Sequence, residues 1–223
     1  MRAAVAYPIL IIDDHELFST SLRMALRGHG FEAHQVPVRA IAEIEAFASR
    51  FRPGLVVLDL DLGQDADGNW VNGVDLVTTL CARGWQPLVV SGSVDTPGVA
   101  AAIAAGAIGS VPKSSSFENL LETVMAAAAG RPVMSEEEHR CWLARHRGYV
   151  AAERELARRL GRLSAREREV LEQLAEGNRA ADIAAHFVVS MTTVRTQIRA
   201  ILTKLEVNSQ LEAVALVRQA PRW

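Results

Sequence analysis

Leu55-Val56-Val57-Leu58-Asp59 decides the fold: four apolar residues in a row, closed by an acid. The same shape recurs three times in the first half of the chain. Ile9-Leu10-Ile11-Ile12 ends in Asp13-Asp14, Pro87-Leu88-Val89-Val90 ends in Ser91, and Ser110-Val111-Pro112 ends in Lys113. Short apolar runs bounded by polar residues read as buried strands. In an open parallel sheet the carboxyl ends of such strands converge on one crevice, where ligands and chemistry collect. The spacing therefore predicts acids, a hydroxyl and an amine gathered at one place. Singly, Asp13 or Asp14 would read as a helix cap, Ser91 before Gly92 as turn chemistry, and Lys113 as a solvated amine. Their joint placement at successive strand ends argues for a site.

Helical segments fill the intervals between the strands. Leu17, Leu22, Met24 and Leu26 mark one that stops at Gly28-His29-Gly30, and Val38 to Phe51 carries Ile41, Ile44 and Phe47 at spacings of three. Gly73 to Arg83 follows the Asp59 strand. Thr96-Pro97 reads as a cap and first-turn proline, and Ser116 to Ala129 makes the last helix of this half. Strands alternating with helices imply βαβ units and a parallel sheet covered on both faces. Five strands with five helices fit the flavodoxin-like doubly wound order.

Composition limits the alternatives. The chain has 223 residues, 49% of them hydrophobic, which suits one large or two small folded domains. No apolar run approaches the length of a membrane span, and the first twelve residues lack a signal-peptide pattern. Cys81 and Cys141 are far apart and lack metal-ligand spacing, so they read as reduced thiols of a cytoplasmic protein. The net charge of −2 is unevenly spread. Residues 1–130 hold 8 basic and 14 acidic side chains, residues 131–160 hold 7 and 5, and residues 161–223 hold 9 and 7. A polyanion would have to meet the second half.

Residues 131–160 form a charged stretch opened by Glu136-Glu137-Glu138 and read as a helical linker. Trp142, Tyr149, Leu156 and Leu163 recur every seven residues, a stripe that either lies against the flanking domains or forms a short coiled coil. From residue 161 onward four helices are expected. Ser164-Ala165-Arg166-Glu167 and Ser209-Gln210-Leu211-Glu212 match the capping box, Gly177 suits a left-handed helix end, and Ser190 can cap a helix from Met191 to about Leu205. The expected core is Val170, Leu171, Leu174, Ile183, Phe187, Val194, Ile198, Ile201, Leu202, Val214 and Leu216.

The constellation of Asp13, Asp14, Asp59, Ser91 and Lys113 resembles the receiver domain of two-component response regulators. Leu163-Ser-Ala-Arg-Glu-Arg-Glu-Val-Leu171, followed by Gly177, Ile183-Ala184, Val189-Ser190 and Thr193-Val194-Arg195, resembles the LuxR-type helix-turn-helix. Together they give the NarL/FixJ architecture, with a receiver at 1–130, a helical linker at 131–160 and a DNA-binding domain at 161–223. The resemblance implies a transcription regulator, not an enzyme, in which Asp59 accepts a phosphoryl group from a sensor histidine kinase. It assigns Mg²⁺ to Asp13, Asp14, Asp59 and the backbone carbonyl of Asp61. Lys113 would pair with phosphoryl oxygens and Ser91 would hydrogen-bond one of them. Double-stranded DNA would be read by Arg195, Thr196, Gln197 and Arg199, with Lys204 on a phosphate, and the active form would be a homodimer that can meet RNA polymerase.

Four departures from the family pattern stand out. Ser110 occupies a position usually held by Tyr or Phe, so signal is expected to leave the pocket through Ser91 and the Gly92-Ser93-Val94 loop. The segment between Asp61 and Gly73 is about seven residues longer than usual. Its Asp65, Asp67 and Asn69 alternate like a calcium loop, but Leu76 stands where that loop needs a glutamate. Pro112 precedes Lys113, whereas many receivers place a proline after it. Finally, Arg195 and Gln197 replace the commoner Lys and His. Two other readings follow: an atypical receiver that answers a ligand or partner protein without phosphorylation, and a phosphate sink with an idle helical domain.

Overall fold

The computed structural model describes residues 7–37, 40–64, 68, 70–92 and 96–219. Its elements run β1 (Ile9–Ile12), α1 (Glu16–Gly28), β2 (Ala33–Gln35), α2 (Ile41–Ala48), β3 (Leu55–Asp59), β4 (Asp61–Gln64), β5 (Trp70–Asn72) and α3 (Gly73–Ala82). They continue with β6 (Gln86–Ser91), α4 (Pro97–Ala104), β7 (Gly109–Pro112) and α5 (Phe117–Ala128). Five helices follow: α6 (Glu136–Gly161), α7 (Ala165–Ala175), α8 (Ala180–His186), α9 (Met191–Leu205) and α10 (Gln210–Gln219). The chain divides into two compact units, residues 1–147 and 148–223. Among the described residues no helix is long and apolar enough to cross a membrane.

In the first unit the strands order as β2-β1-β3-β6-β7, and every neighbouring pair is parallel. This is the flavodoxin-like doubly wound sheet that the alternation predicts. Successive strand residues face opposite sides. Leu10, Ile12, Val56, Leu58 and Val89 thus join one core layer with Ile44, Leu76, Leu80 and Ile103 from α2, α3 and α4. Ile9, Ile11, Val57, Leu88 and Val90 join the other with Leu22, Leu26, Leu120 and Val124 from α1 and α5. Both faces being covered, the strands need no polar alternation, which is why they are legible as continuous apolar runs. Thr96 accepts from the Val99 N–H and Ser116 from the Asn119 N–H, so both helix starts lie where their caps predict. The helix expected from Val38 begins only at Ile41; Val38 itself lies outside the described residues, as do Ser93 and Val94.

The long segment after Asp61 folds as an antiparallel hairpin of β4 and β5, pairing Asp61 with Asn72 and Gln64 with Trp70. Its inward residues, Leu62 and Val71, are buried in the same core layer as Leu58, which pins the insertion to the sheet. Asp65, Asp67 and Asn69 lie outside the described residues.

In the second unit the Ser164 capping box is complete. The Glu167 N–H donates to Ser164 Oγ at 3.3 Å, and Ser164 N–H donates to Glu167 Oε2 at 2.7 Å. At Ser209 only half of the box forms, because Glu212 accepts from the Asn208 N–H instead of that of Ser209. Ser190 caps α9 through the Thr193 N–H, and Gly177 adopts φ 93°. The core holds Val170, Leu171, Ile183, Val194, Ile198, Ile201 and Leu205, with Leu174, Phe187, Leu202 and Leu216 half-buried against it. Val214 is not part of that core; Ala213 takes the buried place, one residue earlier on α10.

The seven-residue stripe of α6 is divided between two cores. Trp142 packs against the core of the first unit, whereas Leu156 and Leu163 belong to that of the second. Tyr149, between them, is exposed. The stripe is spent mostly within its own units, which leaves little of a coiled-coil seam.

Two residues of the second unit generate tests. Val188, in the turn between α8 and α9, has φ 55° and is 90% exposed. A β-branched residue in the left-handed region is strained by about 1–3 kcal/mol, and here no burial offsets it. Val188→Gly should therefore stabilise the second unit by about 1 kcal/mol after the entropic cost of glycine, read as a higher thermal midpoint. Glu167 is the other. Burial pushes its carboxyl up, but the Lys204 ammonium and the Ser164 N–H outweigh this and hold it below its ordinary 4.5. A depressed folded-state pKa adds stability that is present above pH 4.5 and lost as pH falls through the folded value. Acidification should thus lower the midpoint of this unit. Glu167→Gln should flatten that dependence while costing about 1 kcal/mol through the damaged cap.

Candidate functional site

The carboxyl ends of β1, β3 and β7 meet as their register dictates. Asp59 closes β3 and is only 2% exposed, Asp13 follows β1 at 5%, and Asp14 beside it reaches solvent. Lys113, the residue after β7, lies with Nζ 2.6 Å from Asp59 Oδ2 and 2.9 Å from Asp13 Oδ2. That second contact is ionic, since no aligned hydrogen bond reaches Asp13 Oδ2. Asp59 Oδ1 accepts the Asp61 N–H at 3.1 Å. Ser91, the last residue of β6, is buried, and its carbonyl accepts the Lys113 N–H at 2.8 Å, fixing the backbone that presents the ammonium. Gly73 lets α3 start against the acceptor strand. A Cβ there would stand 2.6 Å from Leu60 Cα and 2.9 Å from the Asp59 carbonyl oxygen.

Electrostatics explain the ion pairs. Two carboxylates about 4 Å apart repel by roughly 4 kcal/mol at an effective dielectric near 20. Burial pushes the Asp59 carboxyl above its ordinary value, against the pull of the Lys113 hydrogen bond and the Asp61 N–H, and neighbouring Asp13 adds to the rise. Burial alone would pull Lys113 down, but Asp59 and Asp13 together outweigh it and hold its pKa above the usual value. Lys113 is thus a fixed cation between the two acids.

His15 belongs to this cluster and escaped the sequence reading. Its Nδ1 lies 2.6 Å from Asp14 Oδ1 and 3.4 Å from Lys113 Nζ, and its backbone N–H donates to Asp13 Oδ1 at 2.8 Å. The only signal was its place directly after the acid pair. Asp13, Asp14, His15 and Asp59 each offer a ligand atom within 4.8 Å of the others. This oxygen-rich set, with the Asp13 oxygen lacking an aligned donor, fits a hard divalent cation. Asp61 brings its amide to Asp59, and its side chain is exposed outside the cluster. An open cleft of about 410 Å³ beside the acids is bounded by Asp14, Glu16, Gln35 and, from the hairpin, Gly63 and Gln64.

In the second unit, α8 and α9 form a helix-turn-helix. Val194, Ile198, Ile201 and Leu205 make the buried seam of α9. Thr192, Arg195, Thr196, Arg199 and Thr203 line the opposite, exposed stripe. The Thr196 hydroxyl donates to the Thr192 carbonyl, leaving its oxygen and methyl outward. Two of the expected DNA contacts have different surroundings from Arg195, Thr196 and Arg199. Gln197 sits about 60° from the buried seam at 100° per residue; it is half-buried and its Oε1 is enclosed without a hydrogen-bond partner. Lys204 donates to both Glu167 oxygens, at 2.8 and 2.6 Å, an ion pair within the domain.

Comparison with known proteins agrees with both halves. Residues 9–125 match the response regulator receiver domain, and residues 162–217 match the bacterial regulatory proteins of the luxR family. The chain is 31% identical over 222 residues to the nitrate/nitrite response regulator protein NarP of Escherichia coli, covering 98% of each. It is 27% identical over 215 residues to the transcriptional regulatory protein LiaR of Bacillus subtilis, covering 92% of this chain and 93% of that one. A solved RcsB–DNA complex is more distant, at 19% identity and a TM-score of 0.49 over 96% of this chain and 99% of that one. A receiver whose carboxylates gather around one lysine, joined to a LuxR-type helix-turn-helix, places this chain in the NarL/FixJ family of two-component response regulators, which are transcriptional regulators.

Proposed function

We propose that Asp59 is the phosphoacceptor of this regulator and that its phosphorylation by a sensor histidine kinase controls DNA binding by α9. The observation that carries the reading is the Lys113 ammonium at 2.6 Å from Asp59 Oδ2 and 2.9 Å from Asp13 Oδ2, at the ends of three strands. The domains follow as a receiver at 1–130, a helical linker at 131–160 and a DNA-binding domain at 161–223. A protein that works on DNA and carries two free thiols belongs in the cytoplasm.

An Asp59 oxygen attacks the phosphorus of a phosphohistidine, the P–N bond breaks, and the imidazole leaves with its electron pair. Asp13, Asp14 and Asp59 would hold Mg²⁺, with the Asp61 carbonyl as a further oxygen. Bound there, the ion neutralises acid charge and the charge that builds on the phosphoryl oxygens. Lys113 gives up its contact with Asp59 Oδ2 and takes a phosphoryl oxygen instead. Ser91, at the end of the neighbouring strand, is the hydroxyl that senses the modified acceptor. Arg195, Thr196 and Arg199 face outward early on α9, where a recognition helix meets base edges, and an arginine can grip guanine in bidentate fashion. Paired half-sites would call for a homodimer, and contact with RNA polymerase would complete the output.

Incubation with Mg²⁺ and acetyl phosphate should add one phosphoryl group, read by intact mass. Asp59→Asn should abolish it and Asp14→Ala should nearly do so. A wild-type chain left unmodified by a competent kinase as well would transfer control to a ligand or partner protein. For the reader, Arg195→Ala should relax preference at one base pair at a cost of about 1–3 kcal/mol. Lys204→Ala should alter thermal stability more than the salt slope of DNA binding. Unchanged DNA binding after altering both Arg195 and Arg199 would remove α9 from the reading role.

A further inference from the structure

Glu206 ends α9 in the left-handed conformation, φ 59° and ψ 43°. Helix ends of this kind normally carry glycine or asparagine, because a Cβ is strained there. The carboxylate of Glu206 has a specific use. Arg162 Nη1 donates to its Oε1 at 2.8 Å, and Arg159 Nη2 lies 3.4 Å from its Oε2. Arg159 also donates through Nη1 to the Leu205 carbonyl at 3.3 Å, an orphan acceptor of the last turn of α9. Arg159 is held from behind by Glu155, whose Oε1 accepts its Nε–H at 2.9 Å. Glu155 is pulled down to about 2 by hydrogen bonds from Arg158 and Arg159, so it stays charged across the physiological range. Beneath these polar contacts, Leu160 and Leu205 are both buried in the same core. The end of the linker helix, with the turn that follows it, and the last turn of the helix that carries Arg195 and Arg199 are therefore joined by two arginines and one strained glutamate.

We propose that Glu206 is a positioning residue for DNA reading: it latches the C-terminal end of α9 to Arg159 of α6 and to Arg162, which follows that helix. The linker's end and the reading helix then keep one relative orientation. The strain is retained because glycine, though conformationally easier, cannot hold the arginines. The latch is a network of half-exposed ion pairs, so its strength falls with salt, and it is weak enough to be opened by a movement of the linker. The role in reading rests on the assignment of α9 as the DNA-contacting helix; the latch itself does not.

The test uses the full chain and DNA fragments that the wild type selects from a genomic pool, with scrambled fragments of equal length as the reference. Three variants separate strain from contact. Glu206→Gly removes both, Glu206→Gln keeps the strained backbone but loses the charge, and the swap Arg162→Glu with Glu206→Arg restores a pair. We expect Glu206→Gly to hold or raise the thermal midpoint, while hydrogen exchange quickens in residues 155–162 and the selected-to-scrambled affinity ratio falls by roughly three- to tenfold. Glu206→Gln should show the same loosening without the gain in midpoint, and the swap should recover much of both readouts. Unaltered exchange and discrimination in Glu206→Gly, beside a higher midpoint, would overturn the proposal and leave an ordinary helix end. A wild type with no preference between the fragments would instead defeat the reading role of α9, and the exchange data would still decide the latch.

Discussion

One ammonium makes the receiver's pocket tolerable. Asp13 and Asp59 are drawn together by neighbouring strands of a parallel sheet, out of reach of most water, and neither can leave without disturbing the register of β1 against β3. Their mutual repulsion and loss of hydration are offset by Lys113, delivered from the far side of the sheet by β7 and tied to β6 through the Ser91 carbonyl. A buried pair of this kind costs more to break than it contributes by forming. The pocket thus behaves as a preloaded arrangement of charge. Any group that offers the acids a stronger cation, or the lysine a stronger anion, changes the partners of three strands at once.

Most of this is legible in the sequence. A sheet buried on both faces turns each central strand into an apolar run, and the residue that ends the run is the one at the crevice. Asp13, Asp14, Asp59, Ser91 and Lys113 were therefore found by their position as much as by their type. The edge strand β2, Ala-His-Gln, gives no such signal because only Ala33 is fully buried. The β4–β5 hairpin was missed for a related reason. Its strands are three and four residues long and bury one side chain each, Leu62 and Val71, too few to set up a visible period. His15 was passed over because a single imidazole carries no pattern.

On the helical side, caps were legible and exact facing was not. Ser164 and Ser190 announce their helices because a side-chain oxygen at the right place satisfies a backbone N–H that nothing else can. In sequence Gln197 stands among the base-reading candidates and Lys204 is a candidate for phosphate. Neither the half-buried setting of Gln197 nor the ion pair of Lys204 with Glu167, 37 residues away, could be read from α9 alone. Such outcomes depend on long-range packing, to which a local pattern is blind. The same limit applies at Glu206, where nothing in Leu-Glu-Val hints at a left-handed residue.

Both units close across long stretches of chain. β1 must find β3 across Ile9↔Leu55, and β3 must find β6 across Leu55↔Gln86, so the receiver sheet cannot assemble until distant segments have met. The second unit has no sheet, yet α7 packs on α9 and α10 as well as on α8. Pairings between distant segments slow folding. Ala213 of α10 is fully buried in the core that also holds Val170 and Leu171 of α7. The first helix of this unit therefore stays incompletely covered during synthesis until α10, the last of the described helices, has been made.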